Sequence, residues 1–596
     1  MAIALRNINE LWAFVLTETL KRLGLNCVVI CPGSRSTPLV VAFAQQAPDI
    51  EVISILDERS AAFFALGRAK TTGKPVVLVC TSGTAGANFY PAVIEAKESC
   101  IPLLLLTADR PQELRGCHSG QTIDQVKLYG NYPNWQTELA LPVAEIEMLA
   151  YLRQTLIYAW ERAIAPVAGA VHLNIPFRDP LAPIADGIDL TKLRFLRIAT
   201  LREREERTLT QLETTDFFSH IIPPSFLSFS PPILPPFSSP RGIIIAGIAQ
   251  PQHPQEYCLA ISKLAKFLGF PVLAEGLSPV RNYTHLNPDL ISTYDSILRN
   301  PQLAEELAPE VVILVGEMPT SKELRTWLQK NQPQMWVIDR SDRNLDSLHL
   351  KTNHLRVSVN ELTEKLTEKL TEKHPSNEDC SYFQTWCRAD AIARKNIDKT
   401  LQTTNDFFEG KVAWLLSQFL PSKTPLFIAN SMPVRDVEFF WKPNNAQIQP
   451  FCNRGANGID GTLSTALGMA HHNKPSVMLT GDLALLHDTN GFLIRNKFVG
   501  HLTIILINNN GGGIFEMLPI AQFEPPFEEF FATPQDIDFA QLSTTYGVEH
   551  QLITSWQELE DKLNPLPTNG IRILEIRTNR KLDAKWRKEN LGKFAI

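Results

Sequence analysis

Two short segments carry the chemistry most readily read from this chain. Thr480-Gly481-Asp482-Leu483 ends an apolar run, and one helix-length later Ile507-Asn508-Asn509-Asn510-Gly511 ends another. An acid and a carboxamide at neighbouring strand ends can converge on one hard cation. Mg²⁺ takes about six oxygen ligands, so the Asp482 carboxylate, the Asn509 amide oxygen and the Gly511 carbonyl would supply three. Diphosphate oxygens and a water would complete the octahedron. Gly511-Gly512-Gly513 lets the backbone pass close to phosphates without a side-chain clash. Asp and Asn also favour plain turns, so this segment alone leaves an ordinary pair of strand-to-loop turns open.

A second set is cationic or polar. Ser34-Arg35-Ser36, Asp109-Arg110, Gly120-Gln121, Asn430-Ser431-Met432-Pro433-Val434-Arg435 and Asn453-Arg454-Gly455 all follow strand-like runs or lie in the loops beyond them. Each arginine alone reads as a surface ion pair. Several at equivalent sheet edges suit a substrate with more than one carboxylate, which planar guanidinium grips bidentately. Glu58 follows a strand and opens a helix, where the helix dipole already favours an acid.

The elements that must position these residues repeat as strand, turn and helix. Strands are expected at 27–30, 52–56, 76–80 and 102–106, then at 243–247, 311–316 and 336–339. Near-continuous apolar strands alternating with helices mean parallel sheets covered on both faces, the α/β class, with ligands at the carboxyl edge. A third α/β segment starts near Glu409. Between them lie a charge cluster at 202–207 and a Pro/Ser/Phe-rich stretch at 223–240, read as an exposed loop or linker. Leu-Thr-Glu-Lys repeats over 362–373, expected to form a solvated helix leading into a linker, with Glu361 facing Lys365.

Bulk properties exclude other classes. A chain of 596 residues implies about three or four domains. A net charge of −6 and the lack of a basic, aromatic-interleaved stripe argue against nucleic acid. Nine cysteines without a CxxC pair or zinc spacing imply reduced thiols and a cytoplasmic setting. Residues 1–23 read as an amphipathic helix with Trp12, Val15, Leu16, Leu20 and Leu23 on one face, not as a signal peptide, and no run is long enough for membrane insertion.

The Gly481-Asp482 to Asn509 spacing resembles the thiamine-diphosphate (ThDP) fingerprint. Cys31-Pro32-Gly33-Ser34-Arg35-Ser36-Thr37-Pro38, Asp57-Glu58-Arg59, Thr81-Ser82-Gly83-Thr84-Ala85, Thr107-Ala108-Asp109-Arg110-Pro111, Asn453-Arg454-Gly455-Ala456-Asn457-Gly458-Ile459-Asp460-Gly461 and Asn508-Asn509-Asn510-Gly511-Gly512 resemble one branch of those enzymes. It is the 2-succinyl-5-enolpyruvyl-6-hydroxy-3-cyclohexene-1-carboxylate synthase family of menaquinone and phylloquinone synthesis. Leu483 stands where many ThDP enzymes have Gly, and this branch has Asp-Leu there. The resemblance is dense over about 25–140 and 425–520.

The resemblance implies three doubly wound parallel-sheet domains: pyrimidine-binding (1–190), central (191–375, with a Pro/Ser-rich insertion near 217–240) and diphosphate-binding (376–596). It implies ThDP as cofactor, with Mg²⁺, or Mn²⁺ in its place, on Asp482, Asn509 and Gly511. Glu58 would be catalytic, a buried partner of the pyrimidine N1′. Ser82, Gly83, Thr84, Ile459, Gly481, Leu483, Ile514 and Phe515 would also line the cofactor, with Ile459 the wedge that bends it. Ser34, Arg35, Arg110, Gln121, Lys322, Ser431, Arg435 and Arg454 would contact substrate; Glu323 follows Lys322 where some members have a second basic residue. The implied reaction joins 2-oxoglutarate, after decarboxylation, to isochorismate by conjugate addition. ThDP enzymes usually build the site from two subunits, so a homodimer or homotetramer is expected. A 2-oxo-acid decarboxylase or acetolactate-type synthase would share Glu58 and Asp482 without needing the arginines. A silent ThDP-fold subunit would have lost one of Glu58, Asp482 and Asn509. A nicotinamide enzyme would need GxGxxG, and Gly83 and Gly86 give only GxxG.

Overall fold

The computed structural model describes residues 5–187, 197–200, 210–213, 239–369 and 381–596. The chain divides into two compact units, Met1–Ser228 with Arg454–Ala456, and Phe229–Asn453 with Asn457–Ile596. The 202–207 charge cluster and residues 214–238, with most of the Pro/Ser-rich stretch, lie outside the described residues.

The first unit holds a six-stranded parallel sheet built from β1 (Cys27–Ile30), β2 (Glu51–Ser54), β3 (Val76–Cys80), β4 (Leu103–Asp109), β5 (Trp135–Glu138) and β6 (Ala170–Pro176), in the order β2-β1-β3-β4-β6-β5. Val28, Ile30, Val77, Val79, Leu104 and Leu106 share one core with Trp12, Leu16 and Leu20. The intervening Val29, Leu78, Leu103 and Leu105 are equally buried. Apolar residues on both faces of each strand are what a sheet covered on both sides requires. β4 runs three residues past the expected end, because its register with β6 continues to Asp109 opposite Pro176. β2 stops at Ser54, and Leu56 beyond it is exposed. The N-terminal helix Ile8–Arg22 buries more than the one face expected: Leu11, Ala13 and Phe14 are covered as well. It packs against both Thr37–Gln45 and Ile146–Ile164. A short antiparallel pair, β7 (Arg197–Thr200) and β8 (Thr210–Glu213), follows.

The second unit contains two more parallel sheets. The middle one joins β9 (Gly242–Ala246), β10 (Val272–Ala274), β11 (Val311–Val315), β12 (Gln334–Ile338) and β13 (Lys351–Leu355) in the order β10-β9-β11-β12-β13. The third joins β14 (Pro425–Ile428), β15 (Gln449–Phe451), β16 (Ser476–Gly481), β17 (His501–Asn508), β18 (Glu549–Leu552) and β19 (Gly570–Arg577) in the order β15-β14-β16-β17-β19-β18. One core runs through both, from Ile243 and Leu314 past Trp386, Ala393 and Ile397 of the helix Ser381–Thr403 to Val412, Val477 and Ile505.

All three sheets reverse direction at the same place, between their first and third strands, leaving a crevice at the carboxyl ends. In the middle sheet that crevice is bridged by backbone. Ile248 N–H donates to the Glu317 carbonyl at 3.1 Å and Glu317 N–H to the Ile248 carbonyl at 3.2 Å. Gly247 permits this, since a Cβ there would lie 1.9 Å from the Glu317 oxygen. Among the described residues no helix is long and apolar enough to cross a membrane.

The Leu-Thr-Glu-Lys repeat differs from its reading as a solvated helix. The helix Val359–Lys369 docks on Pro254–Leu268, with Leu362 and Leu366 buried; the repeat beyond 369 lies outside the described residues. Ser358 and Glu361 close a reciprocal capping box: Ser358 N–H and Oγ donate to Glu361 Oε2 at 2.8 and 2.9 Å, and Glu361 N–H returns to Ser358 Oγ at 3.2 Å. Glu361 pairs with Arg340 at 2.6 Å rather than facing only Lys365. Burial alone would raise the Glu361 carboxyl, but hydrogen bonds from Arg340 and Ser358 hold it down at about 2. A carboxyl depressed in the folded chain stabilises fully above its ordinary value of 4.5 and loses that contribution as pH falls through the folded value. Ser358→Ala is therefore expected to cost about 1 kcal/mol at pH 7. In urea titrations that deficit should shrink as pH falls from 4.5 to about 2; a constant deficit would exclude the charged cap.

Candidate active site

In the third sheet, β16 ends at Gly481 and Asp482 begins a short helix with its carboxylate buried. Its Oδ1 accepts from Leu483 N–H at 2.7 Å and its Oδ2 from Gly511 N–H at 2.9 Å. Burial pushes the carboxyl up to about 6; the backbone donors oppose that shift and the charge of Glu409 adds to it. Asn509 leaves the end of β17 and donates from Nδ2 to Glu409 Oε1 at 2.6 Å. Among the described residues its Oδ1 is buried without a hydrogen-bond partner. Gly511 has φ +139°, and a Cβ there would meet the Ala532 carbonyl oxygen at 2.3 Å, so the loop admits only glycine at this point.

A buried carboxylate, an unpartnered amide oxygen and a loop carbonyl make an all-oxygen donor set of the kind a hard divalent cation takes. The residues present fit such an ion. It would satisfy Asn509 Oδ1 and offset the cost of burying the Asp482 charge.

Around this set, Leu483 is half-buried after Asp482. Ile514 and Phe515 sit on the 3₁₀ turn Gly513–Met517, half-buried, with Phe515 edge-on to Phe531 at 5.8 Å. Ile459 is half-buried in the loop ahead of the helix Thr462–Ala470. Asn430 ties that loop to the end of β14 by donating to the Asn453 and Gly458 carbonyls, each at 2.7 Å. Ser431, with φ +74°, and Arg435 lie across the switch point from Asp482, and Arg435 donates to the Ser431 carbonyl at 2.6 Å.

Their helix, Met432–Phe440, is held from beneath by two buried ion pairs. Asp436 receives Arg587 at 2.7 Å, and Glu438 receives Arg281 at 3.2 Å. Burial pushes the Asp436 carboxyl up to about 7 and that of Asp583, beside it, up to about 8. Lys322 opens the middle-domain helix Lys322–Asn331; it is exposed, and the adjoining Glu323 pairs with Arg299 at 3.5 Å. Lys322 joins none of the contacts described for the third sheet.

In the first unit, Ser82, Gly83, Arg110 and Gln121 form one network at the ends of β3 and β4. Arg110 donates to the Ser82 hydroxyl and, at 3.0 Å, to the Gln121 carbonyl. Gln121 Nε2 donates to the Ser82 carbonyl at 3.0 Å, and Gly83 N–H to Gln125 Oε1 at 2.8 Å. Thr84 is exposed at the start of the next helix. Ser34 is exposed and Arg35 buried after β1. Arg35 donates to the Phe177 carbonyl at 3.0 Å, while among the described residues its Nε is buried without a hydrogen-bond partner. Burial lowers the Arg35 pKa, and the positive charge of Arg110 lowers it further. Two guanidinium groups at one sheet edge, one with a spare donor, can take an anion.

Glu58 is the first residue of the helix Glu58–Thr72, behind the capping Asp57. It is half-buried in the single chain, where the sequence reading expects a buried carboxylate, because β2 has already left the sheet edge. Its charge is felt at Cys31 and Cys80, whose thiols burial already pushes far up. Arg454–Ala456 packs with this unit, where Gly455 and Ala456 N–H donate to Glu95 at 3.1 and 2.7 Å.

Sequence reasoning missed Glu409, Asp583, Arg587, Gln125 and Glu95. None lies in a motif, and Glu409 is 100 positions from the Asn509 it bonds.

The chain matches three family models: the N-terminal thiamine pyrophosphate binding domain over residues 12–128, the middle domain of thiamine pyrophosphate enzymes over 231–428, and the C-terminal binding domain over 439–575. It is 68% identical to 2-succinyl-5-enolpyruvyl-6-hydroxy-3-cyclohexene-1-carboxylate synthase of Trichormus variabilis and 67% identical to that of Nostoc sp. Each comparison covers 100% of this chain and 99% of the relative. The synthase of Gloeothece citriformis is 61% identical over the full length of both. In fold the chain resembles benzoylformate decarboxylase from Polynucleobacter necessarius, with a TM-score of 0.65 and 16% identity, covering 96% of this chain and 99% of that one. Near-complete coverage at such identity, over three parallel-sheet domains, makes this chain a ThDP-dependent enzyme and a member of the 2-succinyl-5-enolpyruvyl-6-hydroxy-3-cyclohexene-1-carboxylate synthase family.

Proposed function

We propose that the chain joins 2-oxoglutarate to isochorismate with loss of CO₂, using ThDP and Mg²⁺, or Mn²⁺ in its place. The product is 2-succinyl-5-enolpyruvyl-6-hydroxy-3-cyclohexene-1-carboxylate, on the route to menaquinone or phylloquinone. Asn509 Oδ1, two residues ahead of the Gly511 whose N–H donates to Asp482, carries the reading: it is a buried ligand oxygen with no hydrogen-bond partner among the described residues. The names of the full-length relatives supply the product.

When bound, ThDP supplies the electron sink that makes loss of CO₂ and carbon–carbon bond formation accessible. The chain's own residues do the rest. Asp482, Asn509 and the Gly511 carbonyl would hold the metal, with Gly481 and Leu483 framing the turn. Ile459, Ile514 and Phe515 would wall the pocket and keep water out. Glu58 would hold a proton at the pyrimidine N1′, with Ser82, Gly83 and Thr84 beside it. Ser34, Arg35, Arg110, Gln121, Ser431, Arg435, Arg454 and Lys322 would meet the carboxylates of two dicarboxylate substrates, which fits a site edge bearing several guanidinium groups.

Glu58 is half-buried in one chain, and a partner subunit covering it in a homodimer or homotetramer would give it the dry surroundings its role needs. Cysteines scattered without a CxxC pair or zinc spacing fit a cytoplasmic setting.

Isochorismate absorbance in purified protein should fall only with ThDP, Mg²⁺ and 2-oxoglutarate all present. If CO₂ appears while isochorismate persists, the acceptor is wrong. Glu58→Gln should fold and bind ThDP but lose about two orders of magnitude or more of turnover; wild-type turnover would remove its assignment. Arg435→Ala should raise KM for one dicarboxylate by about tenfold or more while leaving the ThDP titration in place. A change confined to ThDP would refute its substrate role.

A further inference from the structure

Asn509 can serve a cation only with its amide turned one way, and the structure contains the group that turns it. Glu409 opens the helix Glu409–Phe419 with its carboxylate buried. Oε1 accepts from Asn509 Nδ2 at 2.6 Å and from Thr578 Oγ1 at 3.3 Å; Oε2 accepts from Arg587 at 2.8 Å. Arg587 in turn holds Asp436, and Asp583 Oδ2 accepts the N–H of Glu409 itself at 3.2 Å. Both oxygens of Glu409 are thus engaged and its backbone is pinned.

A carboxylate has no proton to donate, so Asn509 must turn its NH₂ toward Glu409. Its Oδ1 then points the opposite way in the amide plane, buried and without a hydrogen-bond partner among the described residues. Gly513 makes room for this arrangement, because a Cβ there would lie 2.8 Å from Asn509 Nδ2.

We propose that Glu409 is a positioning residue for the metal end of the site: it selects the amide orientation of Asn509 that presents oxygen to the cation. Arg587 fixes Glu409 for that task. The inference rests on the reading of Asp482, Asn509 and Gly511 as a Mg²⁺ site. A purely structural Glu409 would only balance the charge of Arg587 in the core.

The two roles separate by metal titration. Glu409→Asp keeps the charge opposite Arg587 but withdraws the acceptor from Asn509 by one methylene. Glu409→Gln keeps the length but presents an NH₂ either to Asn509 and Thr578 or to Arg587. Mn²⁺ binding to each full-length protein in excess ThDP is read by electron paramagnetic resonance, alongside thermal melting without metal or cofactor. The expected result is a Mn²⁺ Kd raised about 10–100-fold in both variants, as for other groups that orient a metal ligand. The metal-free Tm of Glu409→Asp should stay close to that of the parent. A Kd within twofold of the parent in either folded variant would overturn the proposal, and so would failure of both variants to fold, which assigns Glu409 to the core. A parent that binds no Mn²⁺ in the presence of ThDP would instead remove the metal reading, and this inference with it.

Discussion

Negative charge kept from water organises the third domain. Asp482, Glu409, Asp436 and Asp583 are all buried, and Arg587 is the guanidinium that Glu409 and Asp436 both grip. Removing a carboxylate from water costs several kcal/mol unless charge or hydrogen bonds compensate. Arg587 and the backbone donors compensate in part; the raised carboxyls at Asp482, Asp436 and Asp583 mark what is left over. A divalent cation at the Asp482 end, as proposed, would relieve that excess where protonation otherwise would. The local stability of the folded domain and its proposed affinity for metal would then have one electrostatic origin.

The same order of the first four strands occurs in all three sheets with different outcomes. In the first and third sheets the crevice at the point of reversal is edged by Arg35 and Ser82, and by Ser431 and Asp482. In the middle sheet the bridge between Ile248 and Glu317 occupies the equivalent place. Two glycines decide this, Gly247 and the left-handed Gly316 at φ +83°, because any side chain at either would collide with the opposite backbone. Topology offers the crevice, and local backbone chemistry opens or closes it.

Much of this was legible from residue order. The apolar runs locate β1 to β4 of the first domain to within a few residues, since a strand buried on both faces needs no alternation to be recognised; β5 and β6 are missed. Asp482, Asn509 and Gly511 stood out because their chemistry is confined to two strand ends. What escaped was long-range. Glu409 reads as an ordinary helix-start acid until Asn509 and Arg587 arrive from 100 and 178 positions away. The helix Val359–Lys369 read as solvated because its repeat hides which leucines face inward; the capping box that sets its start, Ser358 to Glu361, was visible in the sequence and overlooked. Glu58 was expected to be buried from its place after a strand, but β2 ends early at the sheet margin, and a single chain leaves the residue half open.

The helix Met432–Phe440 ties distant stretches of sequence together. Arg281, fully buried, reaches it from the middle domain, and Arg587 reaches it from the C-terminal helix Arg580–Asn590. Arg435 immediately precedes the first of the two acids that receive them. Domain boundaries that look like clean seams in sequence are therefore poor cutting points for recombination. A hybrid taking its middle domain from one relative and its third from another inherits a buried arginine and a buried glutamate that must match, and a mismatch strands an unpaired charge beneath Arg435. On the proposed substrate role of Arg435, new specificities would be engineered by changing the exposed loop residues around that helix while its two buried anchors travel together as one unit.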